Sequence, residues 1–361
     1  MTAKRRLLKG TDAFGEGAVT AGCQLFCGYP ITPQSELTHY LATRLPQVGG
    51  IYLQSESETA AINMVYGAAG AGARVLTASS GPGISLMSEG LSYLAGAELP
   101  AVIINIMRGG PGLGNTRPSQ SDYWQATKGG GHGDYRLITL APWSVQENFD
   151  FTILAFELAD KYRNPVMILA DGILAQMMET VEVLEISRLN QTPFDKPWAT
   201  TGTMGRRPKN IISSLHLPPE ELEAHNQKLL NKYLAIEDCE ARAECYGISE
   251  AEIVVVAFGI AARIATAAIA LGSERGLKIG LFRPQTLWPF PARQLQEAVK
   301  HAKRILVLEL NTGQMVYDVR YALGSSKAVD FYGRCGGMVF TPMEILGYIL
   351  SGGSQGAVAY N

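Results

Sequence analysis

Along the first half of the chain, short apolar runs alternate with longer stretches in which apolar residues recur every three or four positions. The short runs predict strands over residues 23–27, 75–79, 101–107, 136–140 and 166–170. The longer stretches predict helices over 12–21, 35–44, 59–71, 84–97 and 144–161. The last has defined ends. Ser144 and Glu147 stand at capping-box spacing, and Lys161, Arg163 and Pro165 close the helix. Strand–helix alternation of this kind builds an open parallel sheet.

The pattern changes after residue 186. Residues 198–208 are polar and glycine-rich, and 218–233 form an amphipathic stretch that opens on proline. This reads as a linker with a helical arm that packs on the body of the protein or on a partner. Alternation then resumes. Strands are predicted at 253–258, 277–282, 304–310 and near 328–332, with helices at 260–271, 291–300, 314–323 and 342–350. The expected division is an α/β domain over 1–190, a linker over 191–249 and a second open parallel-sheet α/β domain over 250–361.

Composition supports two cores: 361 residues, 47% of them apolar, with a formal net charge of −2. That charge gives no electrostatic reason to expect nucleic acid or an anionic membrane as a partner. The five cysteines (Cys23, Cys27, Cys239, Cys245 and Cys335) form no Cys-x-x-Cys pair. No zinc or iron–sulfur spacing is present, so an electron-transfer cluster is expected on another chain. Cys23 and Cys27 read as buried small hydrophobes. Asp12 and Glu16 interrupt the start too early for a secretory leader, and Pro30, Pro33, Gln24 and Gln34 argue against a span at 17–35. The expected compartment is the cytoplasm.

Several loops following predicted strands carry candidate chemistry, at the sheet edge where α/β proteins bind ligands. In Tyr29-Pro-Ile-Thr-Pro-Gln-Ser35, Pro30 and Pro33 stiffen the backbone around Thr32, which can offer a hydroxyl; the same residues also make an ordinary turn. Glu56 and Glu58 can serve as first-turn acids that complement a helix dipole. Glu58, however, opens a nearly uncharged stretch of small residues up to Gly72, where burying an acid needs a reason. A carboxylate that meets the aminopyrimidine of thiamine diphosphate is one such reason, because it can share a proton with a ring nitrogen and so activate the cofactor. Ser79-Ser-Gly-Pro-Gly83 offers backbone donors before a helix, with Ser80 and Gly81 at the turn; it is not a Walker loop. Arg108 ends an apolar strand and can hold a carboxylate, or merely form a surface ion pair, with Arg117 as the rival cation. His132 lies in a glycine-set loop. The proline- and aromatic-rich stretch 282–291 reads as a docking surface, and Glu309 to Gln314 as structural or interfacial.

Together, Tyr29–Ser35, Glu58 with the glycines that end its helix, Ser80–Gly83, Arg108–Gly110, Ser144 with Glu147, and Arg283–Pro291 resemble the alpha subunit of the 2-oxoacid:ferredoxin oxidoreductases over essentially the whole chain. The resemblance implies a thiamine-diphosphate pyrimidine-binding fold followed by a transketolase C-terminal-like fold. It implies that Pro30, Thr32, Glu58, Ser80 and Gly81 bind the cofactor, that Glu58 and Arg108 are catalytic, and that Thr32, Arg108, Arg117 and His132 meet the substrate. The family's magnesium signature is incomplete here: Ala170-Asp-Gly172 lacks its first glycine, and no Asn pair follows. A beta subunit is therefore expected to bring Mg2+, the diphosphate grip and a 4Fe-4S cluster. Gamma and delta subunits, ferredoxin and coenzyme A are the further implied partners. The loops at 109–122 and 128–136 resemble the branched-chain, 2-oxoisovalerate type, with the 2-oxoglutarate type as the alternative. Two rival readings are a non-catalytic assembly module and a complete thiamine decarboxylase or synthase.

Overall fold

The computed structural model describes residues 3–184 and 195–353. The expected boundary between first domain and linker, at 190/191, lies outside the described residues. The first part runs β1 (Ala3–Lys9), α1 (Gly10–Thr20), β2 (Leu25–Gly28), α2 (Ser35–Gln47), β3 (Ile51–Gln54), α3 (Glu58–Gly70), β4 (Val75–Ser79), α4 (Pro82–Gly96), β5 (Val102–Met107), α5 (Tyr123–Lys128), β6 (Ile138–Leu140), α6 (Val145–Tyr162), β7 (Val166–Asp171), α7 (Gly172–Gln176) and β8 (Met178–Leu184). The second runs α8 (Pro219–Glu240), β9 (Ala243–Tyr246), β10 (Ile253–Ala257), α9 (Gly259–Ser273), β11 (Ile279–Pro284), β12 (Thr286–Trp288), α10 (Ala292–Ala298), β13 (Arg304–Glu309), α11 (Met315–Leu323), β14 (Val329–Gly333) and α12 (Pro342–Leu350).

One sheet has seven strands in the order β12-β6-β7-β5-β4-β2-β3; another has five, in the order β14-β13-β10-β11-β9. Strands β2 to β7 are parallel in the first sheet, and β10, β11, β13 and β14 in the second. Their central strands are buried on both faces, which is why they read as continuous apolar runs. The periodic stretches are the covering helices.

The sheets meet through their carboxyl edges. Gln120 Nε2 donates to Phe258 O at 2.9 Å, and Leu310 N donates to Gln120 Oε1 at 3.0 Å. Asp171 accepts from Leu174 N at 3.2 Å and from Ile260 N at 2.8 Å. Burial raises its carboxyl to about 6, against the pull of those amides.

Two expectations take definite form. The arm helix α8 packs on the body through Leu229, Tyr233 and Ile236, with Tyr233 edge-on to Trp288. The docking stretch at 282–291 docks within the chain: β12 joins the first sheet antiparallel to β6. Beside it, Arg283 is fully buried. Its guanidinium meets Glu147 at 2.6 and 2.9 Å and Glu244 at 2.6 Å, and lies 4.4 Å over the Trp143 ring. The capping box at α6 is correspondingly half formed. Ser144 accepts from Glu147 N, but the Glu147 carboxylate turns to Trp143 N and Arg283. Burial holds Glu147 above the usual carboxylate range despite Arg283. Glu309 is likewise structural: fully buried, it accepts from Met315 N at 2.8 Å and Val316 N at 3.0 Å at the start of α11. Among the described residues, no helix is long and apolar enough to cross a membrane.

Candidate active site

The Ser57 hydroxyl accepts from Ala60 N at 3.1 Å and starts α3, which makes Glu58 the first helical residue. Glu58 is 6% exposed, and among the described residues it has no hydrogen-bond or ion-pair partner. Gly83, in the first turn of α4, lies against it. A Cβ at Gly83 would collide with Ser79 Oγ and stand 2.6 Å from Glu58 Oε1, so the glycine keeps this acid's surroundings open. The β4–α4 elbow needs another glycine, because Gly81 has φ +49°. The hydroxyls of Ser79 and Ser80 are buried there without hydrogen-bond partners.

Arg108 follows β5 and is 7% exposed. Its Nη1 donates to Thr32 O at 2.9 Å and its Nη2 to Leu113 O at 3.2 Å, while Nε is buried without a partner. Among the described residues, no carboxylate lies within ion-pair distance of it. A Cβ at Gly81 would stand 3.3 Å from Arg108 Nε, so the elbow and the guanidinium touch. Arg108, Gly81, Ser85, Asp122 and Gln314 help line a cavity of about 550 Å³ that the second sheet's loops close with Cys335 and Gly336.

Pro30, Thr32, Glu58, Ser80, Gly81 and Arg108 therefore share one sheet edge, at the ends of β2, β3, β4 and β5. Thr32 reaches Arg108 by its carbonyl; the residue itself is exposed. Arg117 is exposed and packs its stem on Gly337 at the seam between the sheets. His132 is not brought to this edge. It lines a separate depression of about 610 Å³ with Tyr93, His216 and His225. Cys23 and Cys27 are buried, and burial pushes their thiols up to about 12 and about 11.

Sequence reasoning passed over Asn105, and it took Ser79, Gly83 and Asp122 only as parts of their loops. The available signal was a polar residue inside an apolar strand: Asn105 in β5, and Thr77 and Ser79 in β4. In a fully covered parallel sheet each such residue needs a reason to be there.

A free buried acid, partnerless hydroxyls and a glycine elbow that leaves room suit the aminopyrimidine side of thiamine diphosphate. Comparison with known proteins supports thiamine diphosphate as the cofactor. Residues 16–243 match the family described as pyruvate flavodoxin/ferredoxin oxidoreductase, thiamine diphosphate-binding, and residues 251–345 match pyruvate:ferredoxin oxidoreductase core domain II. The chain is 50% identical over 341 residues to the ketoisovalerate oxidoreductase subunit VorB of Methanothermobacter marburgensis, covering 94% of this chain and 96% of that one. It is 36% identical to the 2-oxoglutarate synthase subunit KorA of Methanothermobacter thermautotrophicus, covering 95% and 97%. Among solved structures, the 2-oxoglutarate:ferredoxin oxidoreductase of Magnetococcus marinus, with 2-oxoglutarate, coenzyme A and succinyl-CoA bound, superposes with a TM-score of 0.87 at 31% identity. That match covers 96% of this chain and 65% of the solved one. A split-gene transketolase shares the fold, at a TM-score of 0.60 and 12% identity. The chain belongs to the 2-oxoacid:ferredoxin oxidoreductase family, as a thiamine-diphosphate-binding subunit.

Proposed function

We propose that this chain supplies the aminopyrimidine side of a thiamine diphosphate site shared with a partner subunit. The assembled enzyme oxidatively decarboxylates a branched-chain 2-oxo acid, 2-oxoisovalerate, to its acyl-CoA and CO2 while reducing ferredoxin. The observation that carries this is Glu58: buried, at a helix start, with no side-chain partner among the described residues and with Gly83 packed against its carboxylate. Thiamine diphosphate supplies, when bound, the nucleophilic carbon and the electron sink for decarboxylation. Glu58 then holds or releases a proton at a pyrimidine nitrogen in a site that excludes water. Pro30, Thr32, Ser80 and Gly81 shape the cofactor loop, and Arg108, on the cavity wall, takes the substrate carboxylate. Arg117, at the seam, is the second cation available to a dicarboxylate. His132 faces the other depression and stands outside this site.

The 50% identity to the ketoisovalerate relative, against 36% to the 2-oxoglutarate one, favours the branched-chain substrate. Residues 1–190 would then be the pyrimidine-binding domain, 191–249 the linker and 250–361 the transketolase C-terminal-like domain. The Mg2+, the diphosphate grip and a 4Fe-4S cluster would come from the beta subunit, with gamma and delta subunits completing the complex. In support, the Asp of Ala170-Asp-Gly172 is committed internally to Leu174 N and Ile260 N. The test is co-expression with the partner subunits and a 2-oxo acid panel. Reduction of ferredoxin should be fastest with branched-chain acids. Turnover restricted to 2-oxoglutarate would reassign the substrate, and turnover by this chain alone would overturn the shared site.

A further inference from the structure

The segment between β5 and α5 leaves the sheet at Arg108 and is exposed from Gly110 to Arg117, yet it is tied down at both feet and at its tip. Gly109 N donates to Arg117 O at 2.9 Å and Asn115 N to Gly109 O at 2.8 Å, closing the loop on itself. Gly114 has φ +57°, and a Cβ there would stand 1.7 Å from Gly109 O, so the tip requires glycine. Asn115 uses its side chain in both directions. Its Oδ1 accepts from Arg117 N at 2.9 Å, within the loop. Its Nδ2 donates to Gly336 O at 3.0 Å, in the turn that follows β14 of the second sheet. Beside that contact, a Cβ at Gly337 would stand 2.3 Å from the stem of Arg117, so the loop and the turn are in close contact. Between Gly109 and Asn115 the loop carries the Leu113 carbonyl, which accepts from Arg108 Nη2 at 3.2 Å, while Nη1 donates to Thr32 O at 2.9 Å. Held by both terminal nitrogens, the guanidinium plane cannot turn freely.

We propose that Asn115 is a positioning residue for capture of the 2-oxo acid. By tying the loop to the second sheet it sets the Leu113 carbonyl, and through that carbonyl the orientation of the Arg108 guanidinium on the cavity wall. The inference rests on the carboxylate role of Arg108 given above. Arg108, Pro111 and Gly112 line the cavity from the loop side and Gly336 from the second sheet, so the Asn115 bond joins two of its walls. A guanidinium already held in place loses less freedom when a carboxylate docks on it. Asn115 touches no reacting group in this arrangement. Its effect falls on substrate binding and passes through Arg108.

The test is a double-mutant cycle in the assembled complex, with the 2-oxo acid of the panel that it turns over fastest and ferredoxin as acceptor. The chain is wild type, Asn115→Ser, Arg108→Ala or both. Serine keeps a hydroxyl for Arg117 N but is too short to reach Gly336 O. Asn115→Ser should raise KM about three- to tenfold, the worth of one net hydrogen bond, with kcat within about twofold and the melting temperature unchanged. In the Arg108→Ala background the same substitution should change KM by less than about twofold. If Asn115→Ser does not assemble, Gly337→Ala takes its place, because a methyl there presses on Arg117 and displaces the same loop from the second sheet. An equal rise in KM with and without Arg108 overturns the proposal. A raised KM in Arg108→Ala beside a wild-type KM in Asn115→Ser overturns it alone. An unchanged KM in Arg108→Ala overturns the carboxylate role of Arg108 and this inference together.

Discussion

Two buried arginines, Arg283 and Arg108, stand at the carboxyl ends of apolar strands, and they are opposites. Arg283 is wholly enclosed, paired with Glu147 and Glu244 and stacked on Trp143. Arg108 is almost as buried, but among the described residues its guanidinium donates to the carbonyls of Thr32 and Leu113 and pairs directly with no carboxylate, while its Nε has no partner. A guanidinium whose charge is answered by carboxylates of its own chain is a fastener. One with no carboxylate in direct contact, beside an open cavity, is available to an anion that comes and goes. The same contrast holds for the acids. Glu309 spends its carboxylate on the start of α11, whereas the Glu58 carboxylate at the start of α3 has no partner among the described residues.

That contrast can be broken by substitution. The largest effect is expected at Glu58. Glu58→Gln should assemble with an unchanged melting temperature and lose about a hundred- to ten-thousand-fold in kcat, the usual worth of a general acid–base group. Full activity would end the catalytic role. Arg283→Ala should do the reverse, costing about 3–5 kcal/mol of stability by denaturant titration because the largely enclosed Glu147 carboxylate loses its cation. Arg108→Ala should change stability little and raise KM for the 2-oxo acid roughly ten- to a hundredfold, as loss of a charge-assisted bond predicts. If instead it unfolds the complex and leaves KM alone, the two arginines are alike after all. Gly83→Ala sharpens the comparison at the acid: the added methyl should weaken thiamine diphosphate binding, measured by fluorescence titration, with the fold retained. The smallest effect is expected at His132. His132→Ala should leave KM for the 2-oxo acid within about twofold, as for surface changes away from a site.

The parallel core was legible because buried strands read as apolar runs and their covering helices as periodic ones; β4 matches its expected limits, 75–79. The elements that escaped are those with weaker patterns. Strand β1 is largely basic, β3 is a short and mostly exposed edge strand, and α5 spans only Tyr123–Lys128. Strand β12 was hidden for another reason: it crosses from the second half of the chain into the first sheet, a pairing no local pattern encodes. At the site, Glu58 stood out as an acid in an uncharged stretch and Arg108 as a cation ending an apolar run. His132 had only its glycines to recommend it, and flexible loops of that kind do not indicate which cavity they face. Asn105 was hidden because one polar residue in a buried strand looks like noise until its register partner, Ser79, is known.

The account's central claim concerns where the free acid ends up. A structure of the assembled complex with thiamine diphosphate bound tests it directly. The Glu58 carboxylate should lie about 2.6–3.2 Å from a pyrimidine ring nitrogen, with the diphosphate held by the partner subunit. A pyrimidine ring bound elsewhere, or Glu58 open to bulk water in the complex, would contradict it.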